Sequence, residues 1–339
     1  MDALIITFHD ELNFGAALQA CALSHFLIEC DINALFPKKT LKDFVPPQKE
    51  SFVSKLKIGL LNSKKRQSFR KFWKNQYHIT SNLNGAFDFI ICGSDQIWNP
   101  RLTNGVQPFY YGHNALSRKK IAYAASCGSI ETIRPYIQDV KLLLSEFDII
   151  SVREKSTAQF FIESGITCTT VVDPTLIVDR YSWYELAGMS SIKQRLPKNY
   201  IYVYDLEGRE DFVNEVNTTA GKLDLPVVSL RVKEHYVNNK VRFPYANPYD
   251  FLKILINADY VVSNSYHALI FSYIFKKKIS IVPHSKYSER TRDFLSYFHI
   301  ELDDGPIAVD FSTINDEGLL NKILSSTELL KSFLYEGRE

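Results

Sequence analysis

The sequence predicts an α/β protein built from two Rossmann-like domains facing a cleft. Three observations carry this. Short β-rich runs alternate with helical stretches through both halves of the chain. The alternation restarts around Asp179. Polar and charged residues collect just after the β-rich runs, at what would be the carboxyl ends of parallel strands, where open α/β sheets place ligands. With 339 residues, 45% of them hydrophobic, the chain can bury two cores. The expected division is a first domain over 1–178, a second over 179–310 and a C-terminal helical segment over 311–339.

Taken in order, Ala3 to Phe8 reads as a core strand; it lacks the basic start and long apolar stretch of a signal peptide. His9 to Asn13 form a polar turn, and Asn13-Phe14-Gly15 opens a helix to about Cys30. Such a turn offers backbone N–H groups to an oxygen or phosphate, but one glycine falls short of a dinucleotide fingerprint. Residues 37–50 hold three prolines and read as loop. Residues 51–77 carry eight basic residues and no acidic one, interleaved with Leu, Phe and Trp. Two readings stand: a solvated helical hairpin packed by its apolar stripe, or a contact with an anionic membrane or a lipid-linked acceptor.

Phe87 to Ile91 is a strand that runs into Cys92-Gly93-Ser94-Asp95-Gln96-Ile97-Trp98-Asn99-Pro100. Amide and carboxylate groups beside an indole suit sugar hydroxyls and a sugar ring; an Asx-capped turn would read the same way. Ile121 to Ala125 is a strand closing on Ser126-Cys127-Gly128, and 133–145 an amphipathic helix. Asp148 to Val152 is a strand followed at once by Arg153. A guanidinium at a helix opening suits carboxylate or phosphate, while a salt bridge to Glu154 or a neighbour is the plainer role. Thr170 to Val172 ends the first domain's sheet.

In the second half, strands are expected at 200–204 and 226–230, and helices at 209–221 and 248–257. The most informative stretch follows, ADYVVSNSYHALIFSYIFKKKISIV over 258–282. It reads as strand, polar turn, helix and strand, one βαβ unit. His267 falls in the first turn of its helix, where the positive dipole end draws anions and an imidazole can exchange a proton near neutral pH. A structural histidine is the simpler alternative. Lys276 to Lys278 read as a solvated helix end, and His284, Arg290 and Arg292 follow the last strand of the unit.

Several classes are excluded by pattern. The formal charge of +2 gives no reason to expect nucleic acid. The five cysteines are scattered without metal-ligand spacing, so reduced thiols in a cytoplasmic protein are expected and no structural zinc. No 20-residue window suits a bilayer span. Paired glycosidase carboxylates, a Gly-x-Ser-x-Gly elbow and a Walker loop are all missing. What remains is anion chemistry beside sugar chemistry: a group transferase taking a phosphorylated donor and a carbohydrate hydroxyl.

Six short blocks, in order, resemble the polysaccharide pyruvyl transferase family. They are Asn13-Phe14-Gly15-Ala16-Ala17-Leu18-Gln19, Gly93 through Asn99, Ala122-Tyr123-Ala124-Ala125-Ser126, Ile150-Ser151-Val152-Arg153, Val172-Asp173-Pro174-Thr175 and Asn264-Ser265-Tyr266-His267-Ala268. The resemblance implies a glycosyltransferase-B-like fold. It also implies transfer of the enolpyruvyl unit of phosphoenolpyruvate to two hydroxyls of one sugar, giving a cyclic ketal. By family habit the sugar would be galactose and the product a 4,6-ketal of a bacterial surface polysaccharide. By the same resemblance His267 is the general acid and Arg153 a donor-binding position. Arg290 or Arg292, with Lys277 of the lysine cluster, would add donor charge. Asn13, Ser94, Asp95, Gln96 and Ser126 would line the cleft, with Asp95 also placed to accept a proton from the attacking hydroxyl. Phosphoenolpyruvate is expected as donor substrate, with no cofactor or metal. The protein would work in the cytoplasm, with 51–77 as its contact at the inner face of the membrane. One position departs from the family: many members carry Arg two residues before the histidine, where this chain has Ser265. A nucleotide-sugar glycosyltransferase is the alternative, since the fold would be shared.

Overall fold

A computed structural model of the chain describes residues 1–38, 43, 52–113, 115–230, 236–237, 239–285 and 288–336. The chain divides into two compact units. The first comprises Met1–Lys49, Trp73–Val178 and Glu317–Glu339; the second comprises Glu50–Phe72 and Asp179–Asp316.

Among the described residues the first unit has a seven-stranded parallel sheet. Its strands are β1 (Asp2–Ile6), β2 (Asn33–Pro37), β3 (His78–Thr80), β4 (Ala86–Cys92), β5 (Leu116–Ala125), β6 (Ile149–Val152) and β7 (Thr169–Thr170). Their spatial order is β3-β2-β1-β4-β5-β6-β7. β1 and β4 lie at the centre and are apolar along nearly their whole length because helices cover both faces. The helix Phe14–Glu29 is apolar almost all round for the same reason, and its first eleven residues are buried. Tyr77 fastens it by donating to the carbonyl of Ala17 at 2.7 Å.

β5 runs ten residues, five more than its apolar core predicts. Its first half, Leu116 to Lys120, alternates exposed and covered positions and carries three basic residues, so it does not read as a buried strand. Four strands have no counterpart in the sequence reading: β2, β3 and, in the second unit, those at Asn239–Arg242 and Ile307–Asp310. Each is short, and β2 ends in a proline.

The second unit has six strands among the described residues: β8 (Ile201–Tyr204), β9 (Val227–Ser229), β10 (Asn239–Arg242), β11 (Tyr260–Ser263), β12 (Lys278–Ile281) and β13 (Ile307–Asp310). Their order is β10-β9-β8-β11-β12-β13, parallel except for β13, which runs antiparallel to β12. Both sheets therefore share the 3-2-1-4-5-6 winding of Rossmann sheets, with the order reversing beside the first strand of each. That reversal, between β1 and β4 and again between β8 and β11, opens a crevice at the carboxyl ends of the strands.

Two segments differ from expectation. The basic stretch forms one continuous helix, Phe52–Gln76, rather than a hairpin. Its residues through Phe72 group with the second unit, where Phe72 is buried and packs on Tyr249 with ring centroids 4.9 Å apart. The terminal helix Glu317–Tyr335 belongs to the first unit, where Phe333 meets Phe89 and Ser326 accepts a hydrogen bond from the backbone of Val172 at 3.1 Å. Most of the loop expected over 37–50 lies outside the described residues. No helix among the described residues is long and apolar enough to cross a membrane.

Candidate functional site

Sequence-singled residues gather at the two switch points, one group in each unit. In the first unit, the loops after β1 and β4 are zipped together. Gly93 donates to the carbonyl of Ile6 at 3.0 Å, and Thr7 to the carbonyl of Ser94 at 2.8 Å. Gln19, from the following helix, donates to the Thr7 hydroxyl at 2.9 Å. Gly93 has φ +118°, and a Cβ there would collide with the carbonyl oxygen of Tyr123, so only glycine lets β4 pass so close to β5.

β5 shifts register between Ala122 and Ala125, with Ala124 left-handed at φ +54°. This irregularity brings Ser126 alongside Asp95, itself left-handed at φ +70°: the Ser126 amide donates to the Asp95 carbonyl at 3.0 Å. Ser126 Oγ donates to Glu154 Oε1 at 2.6 Å and accepts from the Gly128 amide.

Arg153 lies at the middle of this group with only 2% of its side chain exposed. Its Nη1 donates to Asp173 Oδ2 at 2.6 Å and to Ser94 Oγ at 3.4 Å. Glu154 Oε1 stands 3.7 Å from its Nε, and Asp95 Oδ1 4.0 Å from its Nη2. Three carboxylates around one buried guanidinium leave no net positive charge for a ligand. The plainer of the two sequence readings, a salt bridge, describes Arg153 as it stands, and its immediate task is to hold its neighbours in place. Asp95, with 15% of its side chain exposed, is the most open of the three carboxylates.

The remaining first-unit candidates are also committed to the fold. Asn13 caps the helix Phe14–Glu29, accepting from the Ala16 amide at 3.2 Å. Gln96 accepts from Asn99 Nδ2 at 2.8 Å. Trp98, which on one of the two sequence readings would stack on a sugar, is a core residue: it is 1% exposed, donates to the Tyr110 carbonyl at 3.1 Å and stacks on Tyr111. The other reading, an Asx-capped turn, is what Asn99 forms by accepting from the Arg101 amide at 3.1 Å. The sequence marks an indole after a strand but not which way the turn rotates it.

In the second unit, β11 ends at Ser263, whose hydroxyl donates to the carbonyl of Tyr204 and accepts from the amide of Ser265 at 3.1 Å. Ser265 then caps the helix Tyr266–Ile274, accepting from the Ala268 amide at 3.4 Å. His267 occupies the first turn and is 7% exposed. Its ring meets Tyr266 edge to face at 5.3 Å, and the Arg290 guanidinium lies over that same Tyr266 ring, 5.2 Å from its centroid. Ser265, His267 and Arg290 are thus gathered around one tyrosine. Tyr266 was legible only as part of a motif, with nothing in the sequence to mark it as the shared platform.

Two other donor-charge assignments are corrected. Lys277 lies at the amino end of β12, on the far side of the helix from His267, and donates to the carbonyl of Ala258 at 2.9 Å. Burial pulls its ammonium below the usual lysine value, against the pull of Asp259. Lys276 and Lys278 are engaged by Asp316 and Asp310. Arg292 is exposed, two residues around its helix from Arg290, and donates to the carbonyl of Leu302. Spacing alone grouped Lys277 with His267; the βαβ geometry separates them by the length of the helix Tyr266–Ile274.

The structure adds residues that the sequence reading passed over. Asp205 and Glu207 follow β8 at this switch point, and Asn264 Nδ2 donates to Asp205 Oδ1 at 2.7 Å across the crevice. Glu207 faces His284 Nδ1 at 3.6 Å and accepts from the backbone and hydroxyl of Ser285. A strand followed by DLEGRE is the signal that would have drawn attention to this loop. Among the described residues no group of His, Cys, Asp and Glu could hold a metal ion.

The sequence model of one family, described as polysaccharide pyruvyl transferase, matches residues 13–285. The match takes in the first-unit group from Asn13 onward, without Ile6 and Thr7, and the second-unit group except Arg290. No curated protein sequence matches the chain. Among solved structures, the UDP-GlcNAc 2-epimerase from Neisseria meningitidis bound to UDP-GlcNAc is similar, with a TM-score of 0.54 and 9% identity over 99% of this chain and 100% of that one. The Methanocaldococcus jannaschii UDP-GlcNAc 2-epimerase in complex with UDP-GlcNAc and UDP aligns with a TM-score of 0.51 and 11% identity, over 99% and 100% of the two chains. At such identities the likeness concerns the fold, which is glycosyltransferase-B-like.

Proposed function

Because the chain belongs to the polysaccharide pyruvyl transferase family, we propose that it transfers the enolpyruvyl unit of phosphoenolpyruvate to two hydroxyls of one sugar. The observation that carries the proposal is His267, seated in the first turn of a Ser265-capped helix at the carboxyl end of β11, within the span matched by the family.

On this reading His267 protonates the methylene carbon of phosphoenolpyruvate. C2 becomes electrophilic, one sugar hydroxyl adds to it, phosphate departs, and the second hydroxyl closes the ketal. Two hydroxyl protons are lost overall; one is balanced by the new methyl C–H and the other leaves with phosphate. The helix N-terminus favours the donor's anionic groups. Arg290, steadied on Tyr266, supplies the cation that the chain lacks at Ser265. Asp95, in the first unit, is the candidate acceptor of a hydroxyl proton, with Arg153 and Asp173 holding that loop. Ser94, Gln96, Ser126 and Asn13 shape the same loop cluster rather than clamp the donor. The acceptor is a bacterial surface polysaccharide unit, with galactose and a 4,6-ketal as first choice. The exposed Arg70, Lys71 and Lys74 of the helix Phe52–Gln76 would bring the enzyme to a lipid-linked acceptor at the inner face of the membrane. No cofactor enters the scheme.

The test is mass spectrometry of galactose-containing acceptors incubated with phosphoenolpyruvate, together with phosphate release. Product should gain one pyruvyl ketal, and His267→Gln should lose roughly 10²–10⁴-fold in rate with unchanged thermal stability. Near wild-type turnover by that variant would remove His267 from the role.

A further inference from the structure

In Rossmann sheets a diphosphate is held at the switch point against backbone amides of the turn between the first strand and its helix. In the second unit that position is already filled from within. Asp205 is 2% exposed. Its Oδ1 accepts from the Glu207 amide at 2.8 Å and from Asn264 Nδ2 at 2.7 Å, and its Oδ2 from the Gly208 amide at 2.8 Å. Asn264 closes the crevice from the other side by accepting from the Leu206 amide at 2.8 Å. We infer that Asp205 is a specificity-determining residue: its carboxylate occupies the amide seat that a nucleoside diphosphate would need, and so denies this crevice to nucleotide-linked sugars.

The charge around the seat acts in the same direction. Burial works to raise the Glu207 carboxyl, but the hydroxyl and amide of Ser285, His284 and Arg209 outweigh it and hold the group below its usual range. The helix Glu210–Leu223 then opens with Glu210 and Asp211. Arg209 is the basic residue within this loop, and it is engaged by both Glu207 and Asp211 while donating to the carbonyl of Pro283 at 3.0 Å. A diphosphate would have to displace a buried carboxylate and then stand beside three more. The loop after β11, Asn264-Ser265-Tyr266-His267, carries no carboxylate and has Arg290 over its tyrosine. Of the two loops at this switch point, the one after β11 is therefore the better placed for an anion. Only the naming of that anion as phosphoenolpyruvate rests on the proposed function; the exclusion of diphosphates stands on the Asp205 geometry.

Isothermal titration of the full chain with uridine diphosphate decides the matter, with phosphoenolpyruvate titrated in parallel. The wild-type protein should show no uridine diphosphate binding at micromolar concentrations. Asp205→Gly, which vacates the seat, and Glu207→Gln, which keeps the Ser285 contacts but removes a charge, should each gain at least about tenfold in affinity, about 1.4 kcal/mol. Wild-type binding with a Kd on the order of micromolar would overturn the inference, as would folded variants that gain nothing. If Asp205→Gly fails to fold, Glu207→Gln carries the decision. Rejection of both ligands by the wild type, with a gain for uridine diphosphate in the variants, would strike the phosphoenolpyruvate reading and leave the role of Asp205 in place.

Discussion

Arg153 and Asp95 divide between them the consequences of burial. Removing one partner of a buried ion pair leaves the other charge uncompensated, at a cost of about 3–5 kcal/mol. Asp173→Asn should therefore lower the urea midpoint sharply, because Asp173 is fully buried and is the nearest carboxylate to Arg153. Asp95→Asn, at a more open position 4.0 Å from the guanidinium, should leave the midpoint nearly unchanged while reducing ketal formation. Equal stability losses in both would show that Asp95 is no more than another structural partner. The acid side of the stability profile has its own marker in Asp316. Burial would raise its carboxyl, but Lys276 and the Tyr273 hydroxyl hold it below the usual aspartate value. A carboxyl whose folded pKa is depressed stabilises the fold above its unfolded pKa, and that contribution disappears as pH falls through the folded value. Urea midpoints measured from pH 7 down into the range below the ordinary 3.8 should fall less steeply for Asp316→Asn than for the wild type. Cys21, Cys92 and Cys168 are made inert by the same physics. Burial pushes Cys21 up to about 12 and the half-buried Cys168 up to about 11. Ellman's reagent at pH 8 should titrate the native chain slowly, Cys168 first, and all five cysteines quickly only after denaturation.

At the scale of elements, the helix Phe52–Gln76 does two different jobs along its length. Phe69 and Phe72 are fully buried in the second unit, and Phe72→Ala should cost about 3–5 kcal/mol, read as a shift in the denaturation midpoint. Arg70, Lys71 and Lys74 are exposed, so replacing all three by Glu should change stability little. If this face meets an anionic membrane, the triple variant should lose co-flotation with phosphatidylglycerol vesicles that the wild type shows, with neither binding neutral vesicles. Absence of wild-type flotation would end the membrane role. The two crossover units carrying the candidate sites were legible because parallel strands buried on both faces are continuous apolar runs, and each ends in a cluster of polar residues. Three of the four edge strands, β3, β10 and β13, were not legible. β3 and β10 are only three and four residues long and gain their identity from a neighbour's hydrogen bonds rather than from their own pattern.

At the scale of the whole molecule, the first unit is completed by residues from both ends of the chain. Truncation before Glu317 removes Phe333 from Phe89 and leaves the buried Val172 amide without the Ser326 hydroxyl. Ser326→Ala alone should cost about 1–3 kcal/mol, and the truncated chain should lose the cooperative unfolding of the first unit while the second keeps its own transition. Two separable transitions in the intact chain would mark the two cores directly.

The sequence by itself determined the α/β class, the restart near Asp179 and the positions of the strand-end loops, because backbone periodicity and apolar burial act locally and leave their record in residue order. It also identified His267 as the ionisable group at a helix opening. Only the tertiary structure decided which polar residues share a site. Register and helix length place Arg290 on Tyr266 and send Lys277 to the other end of the sheet, and packing turns Trp98 inward. For Arg153 the sequence left a ligand site and a salt bridge both open until the chain brought Asp173 to it from twenty residues away. Charge balance is a property of three-dimensional neighbourhoods, and one-dimensional spacing does not encode it.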